Sequence, residues 1–126
     1  MHLKSLIWVF LGSGLGGCVR WWFGTLSAVL QLKTFPWSTF AANVIACAIS
    51  GGIGAWLSAK CDSDRVTLFW LVGFCGGFST MSAFTREWLQ LIQSGSMLLV
   101  VYPLTTLVAC IVATYAGALC VNYLAS

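Results

Sequence analysis

The stretch GFCGGFSTMSAF, residues 73–84, lies in the middle of a strongly apolar part of the sequence. Its twelve positions hold three glycines and three hydroxyl-bearing residues, at a place where a helix crossing a membrane would otherwise run without interruption. Glycine weakens a helix, whereas serine and threonine favour the position at which a helix begins. The stretch therefore predicts a helix that stops and restarts.

The composition around this stretch is that of a membrane protein. Of the 126 residues, 60% are hydrophobic and only 7% are charged, whereas soluble domains carry roughly 25% charged residues. A helix needs about 20 residues to span a bilayer, and the apolar runs predict four spans at about 5–30, 37–59, 66–93 and 97–123. We expect an all-α membrane protein with one domain over residues 1–126.

The N-terminal segment HLKSLIWVFLGSGLGGC, residues 2–18, loosely resembles a cleavable signal peptide. Apolar residues resume after Arg20 with Trp21, Trp22 and Phe23, however. We therefore interpret the segment as the start of one long first helix.

The basic residues of the short loops give little orientation bias. Three lie on the side of the N-terminus (Lys4, Lys60 and Arg65). The other side has Lys33, and also Arg86 if that residue reaches the interface, so the bias is three against one or two. Weak bias suggests insertion in both orientations. Small residues on the first span favour close helix packing, and we expect them to form an antiparallel homodimer (Gly12, Gly16, Gly17).

The residue inventory argues against an enzyme. His2 is the one histidine, no carboxylate pair or phosphate loop can be assembled, and the Gly-rich GSGLGG at 12–17 follows no strand. The six cysteines form no CxxC pair and have no histidine at metal-ligand spacing. We expect the cysteines within the spans to pack as small hydrophobic side chains, and we expect no nucleic-acid partner.

Polar residues inside the spans are costly in a membrane and are usually functional. Thr39, Asn43 and Ser50 share a face of the second span, and the fourth span adds four hydroxyls (Tyr102, Thr105, Thr106, Thr114). Asn43 could instead bond a neighbouring helix, and a helical threonine can bond its own backbone. All of these side chains offer N–H or O–H donors. The one intramembrane acid, Glu87, can pair with Arg86, so the donors favour a small anion.

The broken third span fits an ion site. We expect a first half from Val66 to Cys75, unwinding at Gly76 and Gly77, and a cap at Ser79 or Thr80. Such breaks expose carbonyls at one end and N–H groups at the other. Met81 and Phe84 share one face, and an aromatic ring presents a positive edge to an anion. The alternative is a simple packing kink.

Three segments together carry a resemblance to a known family. GFCGGFSTMSAFTRE at 73–87 resembles the third-helix signature of the Fluc (CrcB) fluoride channels, GLGGCVRWW at 14–22 their first helix, and STFAANVIACAISGG at 38–52 their second. Two positions depart from the family pattern. Met81 stands where the family has phenylalanine, and Ala46 stands where it has glycine.

The resemblance implies a homodimer of oppositely oriented subunits with two fluoride pores. It also implies a structural sodium ion at the dimer centre, held by backbone carbonyls of Gly76 and Ser79. Arg20 would lie in an aqueous vestibule. The remaining matched positions would line the fluoride pore (Thr39, Asn43, Met81, Ser82, Phe84, Tyr102, Thr106).

The function expected from this resemblance is passive, selective fluoride export across the bacterial inner membrane, where the protein is surrounded by lipid. Two rival classes remain open. A four-helix, dual-topology multidrug exporter needs an acid in its first helix, and the first span has none. A non-transporting membrane assembly subunit would have no use for the broken helix or Asn43.

Overall fold

A computed structural model of the chain describes residues 2–60 and 64–126. Cys61, in the predicted polar loop, lies outside the described residues. The described part is helical and contains no strand. Four helices are long and apolar enough to cross a membrane, and they extend over Leu3–Val29, Trp37–Ala59, Asp64–Gln93 and Leu98–Ala125. The predicted all-α chain with four spans is confirmed.

We label the helices in chain order. Helix α1 is Leu3–Val29 and α2 is Trp37–Ala59. The third span consists of α3, residues 64–78, followed after a break by α4, Met81–Gln93. Helix α5 is Leu98–Ala125.

The ends of the spans follow local residue preferences. Pro36 directly precedes α2, where its missing N–H costs no helical hydrogen bond. Gly95, with φ of 64°, makes the tight turn between α4 and α5. This left-handed conformation is accessible to glycine because it has no Cβ.

Helices α1 and α3 pack in parallel through glycines. A Cβ added at Gly12 would collide with the carbonyl oxygen of Phe69, and one at Gly16 with that of Phe74. Gly77 of α3 lies equally close to the backbone of Ser13. The prediction that Gly12 and Gly16 are free to form a dimer contact is therefore wrong, because the chain uses both glycines internally. Gly17 has open space around it.

Helices α2 and α5 also pack in parallel. A Cβ at Gly51 would collide with the carbonyl oxygen of Thr114, and one at Gly117 with that of Ala48. The register set by Gly51 and Thr114 continues one turn at a time toward the start of both helices. It aligns Cys47 with Cys110, Asn43 with Thr106, and Thr39 with Tyr102.

The third span breaks later than predicted. Its first half contains a π-helical stretch, Thr67–Cys75, followed by one α-helical turn, Gly76–Phe78. The extended residues are Ser79 and Thr80, with ψ of 155° and 114°. The prediction that the helix unwinds at Gly76 and Gly77 is therefore wrong. Gly77 stays helical and allows α3 to pack closely against α1. The helical hydrogen bonds end at Thr80, whose N–H bonds Asn43 instead.

Candidate functional site

A cavity of about 480 Å³ opens at the break, between α2, the start of α4 and α5. It collects several of the residues proposed for the pore from regions far apart in the sequence. Its lining comprises Asn43, Cys47, Ser79, Thr80, Met81, Phe84, Pro103, Thr106, Leu107 and Cys110. The lining contains no charged side chain and few polar groups, so each donor in it faces mostly apolar neighbours.

Asn43 holds the broken backbone through both atoms of its amide. Its Oδ1 accepts the Thr80 N–H at 2.7 Å, and its Nδ2 donates to the Thr80 carbonyl at 3.3 Å. In a continuous helix the Thr80 N–H would bond the Gly76 carbonyl. Asn43 thus diverts that donor, and the second N–H of its Nδ2 remains available in the cavity.

Thr80 begins the second half of the span. Its hydroxyl accepts the Ala83 N–H at 3.2 Å and lies 3.2 Å from the Ser82 hydroxyl. The predicted cap at Ser79 or Thr80 is confirmed at Thr80. Ser82 is exposed and contacts Thr80, and the cavity at the break is lined without it.

Thr106 differs from the other threonines of α5. Thr105 donates to the Val101 carbonyl at 2.7 Å, and Thr114 donates to the Cys110 carbonyl at 2.9 Å, so each is satisfied by its own helix. The Thr106 hydroxyl is buried and has no hydrogen-bond partner among the described residues. An unpaired buried hydroxyl costs about 1–3 kcal/mol, and this one lies on the cavity wall.

Glu87 of α4 links α2 to α5. The Thr39 hydroxyl donates to its Oε1 at 2.7 Å, and the Tyr102 hydroxyl donates to its Oε2 at 2.8 Å. Both oxygens are therefore bound by neutral donors, and the expected pairing of Glu87 with Arg86 is not found among the described residues. Thr39 and Tyr102 lie beside the cavity at the break, one turn from Asn43 and Thr106.

Two aromatic rings pack against Tyr102, and one of them also lines the cavity at the break. Phe84, on the cavity wall, lies 4.9 Å from Tyr102 between ring centroids, and Phe35 meets the same tyrosine edge-on at 5.3 Å. Tyr102 is fully buried, whereas Met81 is 72% exposed. Met81 and Phe84 line the same cavity, but most of the Met81 side chain faces outward.

Two further cavities meet at Glu87. One of about 300 Å³ is lined by Arg20, Arg86, Glu87, Thr39 and Thr80 among others, so it shares Thr80 with the cavity at the break. The other, of about 420 Å³, lies at the connection between α1 and α2 and includes Lys33. Arg20 thus lies at a basic cavity next to the break, and its role as a vestibule residue stays a prediction.

The sequence did not predict a hydrogen bond that compensates for a proline in α5. Pro103 lies inside this helix and has no N–H to donate to the Leu99 carbonyl. The indole N–H of Trp88 donates to that carbonyl at 2.7 Å instead. The proline is visible in the sequence, but the partner that compensates for it comes from α4.

The fold and site define a class of protein: a multi-pass helical membrane protein with a cavity of neutral donors at a break in one span. Residues 7–118 match the family model described as CrcB-like protein, Camphor Resistance (CrcB). The chain belongs to the CrcB family.

Curated relatives cover most of the chain. A protein of Phocaeicola vulgatus named fluoride-specific ion channel FluC is 40% identical over 94 residues, which is 74% of this chain and 77% of that protein. Proteins with the same name from Azobacteroides pseudotrichonymphae and Novosphingobium aromaticivorans are 35% and 33% identical. They match 85% and 91% of this chain, and 87% and 94% of their own lengths.

Proposed function

We propose that this protein is a fluoride-selective channel that lets fluoride leave the bacterial cytoplasm passively across the inner membrane. The observation that carries the proposal is that two donors line one cavity: the second N–H of Asn43, and the hydroxyl of Thr106, which has no hydrogen-bond partner within the described part of the chain. Fluoride is small and accepts strong hydrogen bonds. The relatives' names, fluoride-specific ion channel, support the same substrate.

The helix ends at the break add to the attraction for an anion. Helix α4 begins at Met81, and the first N–H groups of a helix have no partner within that helix. These N–H groups, together with the helix dipole, favour negative charge. Because Thr80 and Met81 line the cavity, the start of α4 is directed toward an ion in it.

Aromatic edges supply contacts that a small anion can use without a counter-charge. Phe84 would offer its ring edge at the cavity wall, and Met81, one turn earlier on the same helix face, would contribute a flexible, polarizable side chain. Fluoride held by donors and ring edges meets no fixed cation that would trap it. The basic residues Arg20 and Arg86 lie in the adjoining cavity, where they would raise the local anion concentration.

Glu87 does not oppose this assignment. Each of its oxygens accepts a hydroxyl hydrogen bond, from Thr39 and from Tyr102. It also shares its cavity with Arg20 and Arg86, so the net charge around that cavity is positive. We propose Thr39, Tyr102 and Ser82 as polar residues along the same route.

We further propose that the channel is an antiparallel homodimer with a structural sodium ion at its centre. The residues present fit this ion. The Gly76 carbonyl loses its helical donor to Asn43, Gly76 is exposed, and nothing lies within 4 Å of its Cβ direction. Carbonyl oxygens suit hard cations, and with Ser79 each copy would contribute two such ligands. Sodium would stabilise the assembly and would not be transported.

Efflux from liposomes tests the function. Purified protein is reconstituted into vesicles loaded with potassium fluoride, valinomycin is added, and external fluoride is followed with an electrode. We expect fluoride to leave rapidly and chloride to be retained in a parallel preparation. Fluoride retention would favour an assembly subunit, and proton-driven export of organic cations would favour a multidrug exporter. Either result would refute the proposed function.

A further inference from the structure

Two cysteines line the wall of the cavity at the break. Cys47 of α2 and Cys110 of α5 each lie one turn before the contact between Gly51 and Thr114, so the parallel register of these helices aligns them. Both line the cavity, and neither is in a disulfide. Their spacing in the sequence gives no indication that these two cysteines lie near each other. The tertiary structure therefore creates a pair of thiols that the sequence predicted as separate hydrophobic side chains.

The backbones of α2 and α5 are held close together next to the two cysteines. One turn away, Gly51 lies against the Thr114 carbonyl, and Gly117 lies against that of Ala48. These contacts leave no room for the helices to approach further or to slide. A pair positioned in this way loses little conformational freedom when both members bind one ligand.

We propose that Cys47 and Cys110 form a two-coordinate site for a soft monovalent cation, Cu⁺ or Ag⁺, bound linearly between the two sulfurs. Thiolates are the ligands that such ions prefer. Each metal–sulfur bond forms as one thiol proton leaves, so one cation and two thiols give one bis-thiolate complex and two released protons. The complex carries a single negative charge.

The surroundings of the pair suit this charge. Asn43 and Thr106 lie one turn away in the same register and line the same cavity. Their free N–H and O–H groups would stabilise the anionic complex, since hydrogen bonds to a charged group are the stronger ones. The donors proposed for fluoride would thus also favour the deprotonated, metal-bound thiols.

The number of ligands selects the kind of metal. Cys75 of α3 is buried and is not among the residues that line the cavity, and the described residues contain no group of three His, Cys, Asp or Glu that could hold a metal ion. Zinc in structural sites takes four ligands. The pair therefore favours an ion that is satisfied by two thiolates, and we expect weak zinc binding.

Calorimetric titration with silver nitrate in chloride-free buffer tests the proposal. The starting protein is a variant that keeps only the pair, made by replacing the other cysteines (Cys18→Ser, Cys61→Ser, Cys75→Ala, Cys120→Ser). We expect one Ag⁺ per chain, release of two protons, and an affinity at least ~100-fold above that of either single variant, Cys47→Ser or Cys110→Ser, in this background. Zn²⁺ should bind far more weakly than Ag⁺.

Equal affinity of the pair and the single variants, two Ag⁺ per chain, or equally tight Zn²⁺ binding would each overturn the site. If the starting variant does not fold, the full chain is used, with Cys110→Ser compared against Cys18→Ser. Only Cys110→Ser should then remove the tightest Ag⁺ site, and its persistence would overturn the proposal. The readout is metal binding, so the proposal stands or falls independently of fluoride transport.

Discussion

Asn43 and Thr80 come from different spans and are joined by two hydrogen bonds, one to each backbone polar group of Thr80. Asn43 Oδ1 accepts the Thr80 N–H at 2.7 Å, and Asn43 Nδ2 donates to the Thr80 carbonyl at 3.3 Å. The side chain thus replaces the helical partner that Thr80 would otherwise have. The position of the break and the orientation of the Asn43 amide are consequently set together.

Replacing Asn43 with aspartate should strongly reduce fluoride efflux. One carboxylate oxygen can still accept the Thr80 N–H, but the other faces the Thr80 carbonyl and places a negative charge on the cavity wall. At an effective dielectric constant of ~20, this charge repels an anion 4 Å away by roughly 4 kcal/mol, or about three orders of magnitude in rate. Liposome efflux measures the effect. Asn122→Asp, at the exposed end of α5, is the control, and normal efflux in Asn43→Asp would place Asn43 off the route.

Thr106→Val should lower fluoride efflux without lowering the stability of the protein. Valine keeps the shape of threonine and removes a buried hydroxyl that has no partner in residues 2–60 and 64–126, so the free energy of unfolding should stay the same or rise by about 1 kcal/mol. Fluoride efflux should fall, because a donor to the ion is lost. Thermal unfolding in detergent and liposome efflux are measured on the same preparation.

The matched control is Thr114→Val, whose hydroxyl bonds its own helix through the Cys110 carbonyl. This variant should transport fluoride normally. Clear destabilisation of Thr106→Val, or normal efflux in it, would contradict a role for the Thr106 hydroxyl in binding the anion.

Met81→Phe should increase fluoride efflux, since it adds a second ring edge next to Phe84, which lies one turn later on the same face of α4 and lines the same cavity. Phe84→Ile should suppress efflux heavily, because the ring that contacts Tyr102 at 4.9 Å and faces the cavity is lost. Initial efflux rates are compared with those of the parent protein. An unchanged rate in Met81→Phe together with normal conduction in Phe84→Ile would show that the rings are not at the ion.

Trp88→Phe should destabilise the protein by about 0.5–1.5 kcal/mol, because the Leu99 carbonyl loses the donor that replaces the missing N–H of Pro103. Thermal unfolding in detergent measures this loss. In a Pro103→Ala background, the alanine N–H can bond Leu99, so the same tryptophan change should cost much less. Equal costs in both backgrounds would mean that the indole does not compensate for the proline.

Gly76→Val should weaken the response of the purified protein to sodium, whereas Ser79→Ala should preserve it. The proposed ligands are backbone carbonyls, so the serine side chain is dispensable. Gly76 has helical angles and open space around it, so valine should leave the fold of each chain intact but crowd the carbonyl. Melting temperatures in sodium and in N-methylglucamine buffer are compared. A parent protein that melts identically in both would contradict the sodium site.

The sequence by itself determined the spans and the presence of a break. The length of each apolar run and the Gly-rich, hydroxyl-rich stretch at 73–84 are local signals. They are sufficient because a helix in a bilayer satisfies its own backbone. The same stretch, together with segments of the first and second spans, resembles the CrcB family, and the match of residues 7–118 to the model of that family confirms the resemblance.

Tertiary structure decided where the helix breaks and which polar groups remain free. Thr80 is not helical because its N–H and its carbonyl both bond the side-chain amide of Asn43, 37 positions earlier. Glu87 likewise bonds residues of other spans, since its carboxylate accepts hydrogen bonds from Thr39 and Tyr102 and not from Arg86. Among the described residues Thr106 has no hydrogen-bond partner, whereas Thr105 bonds its own helix. Cys47 and Cys110 line the same cavity because the parallel register of α2 and α5 aligns them. Each outcome depends on a partner from another span, which local pattern and periodicity do not specify.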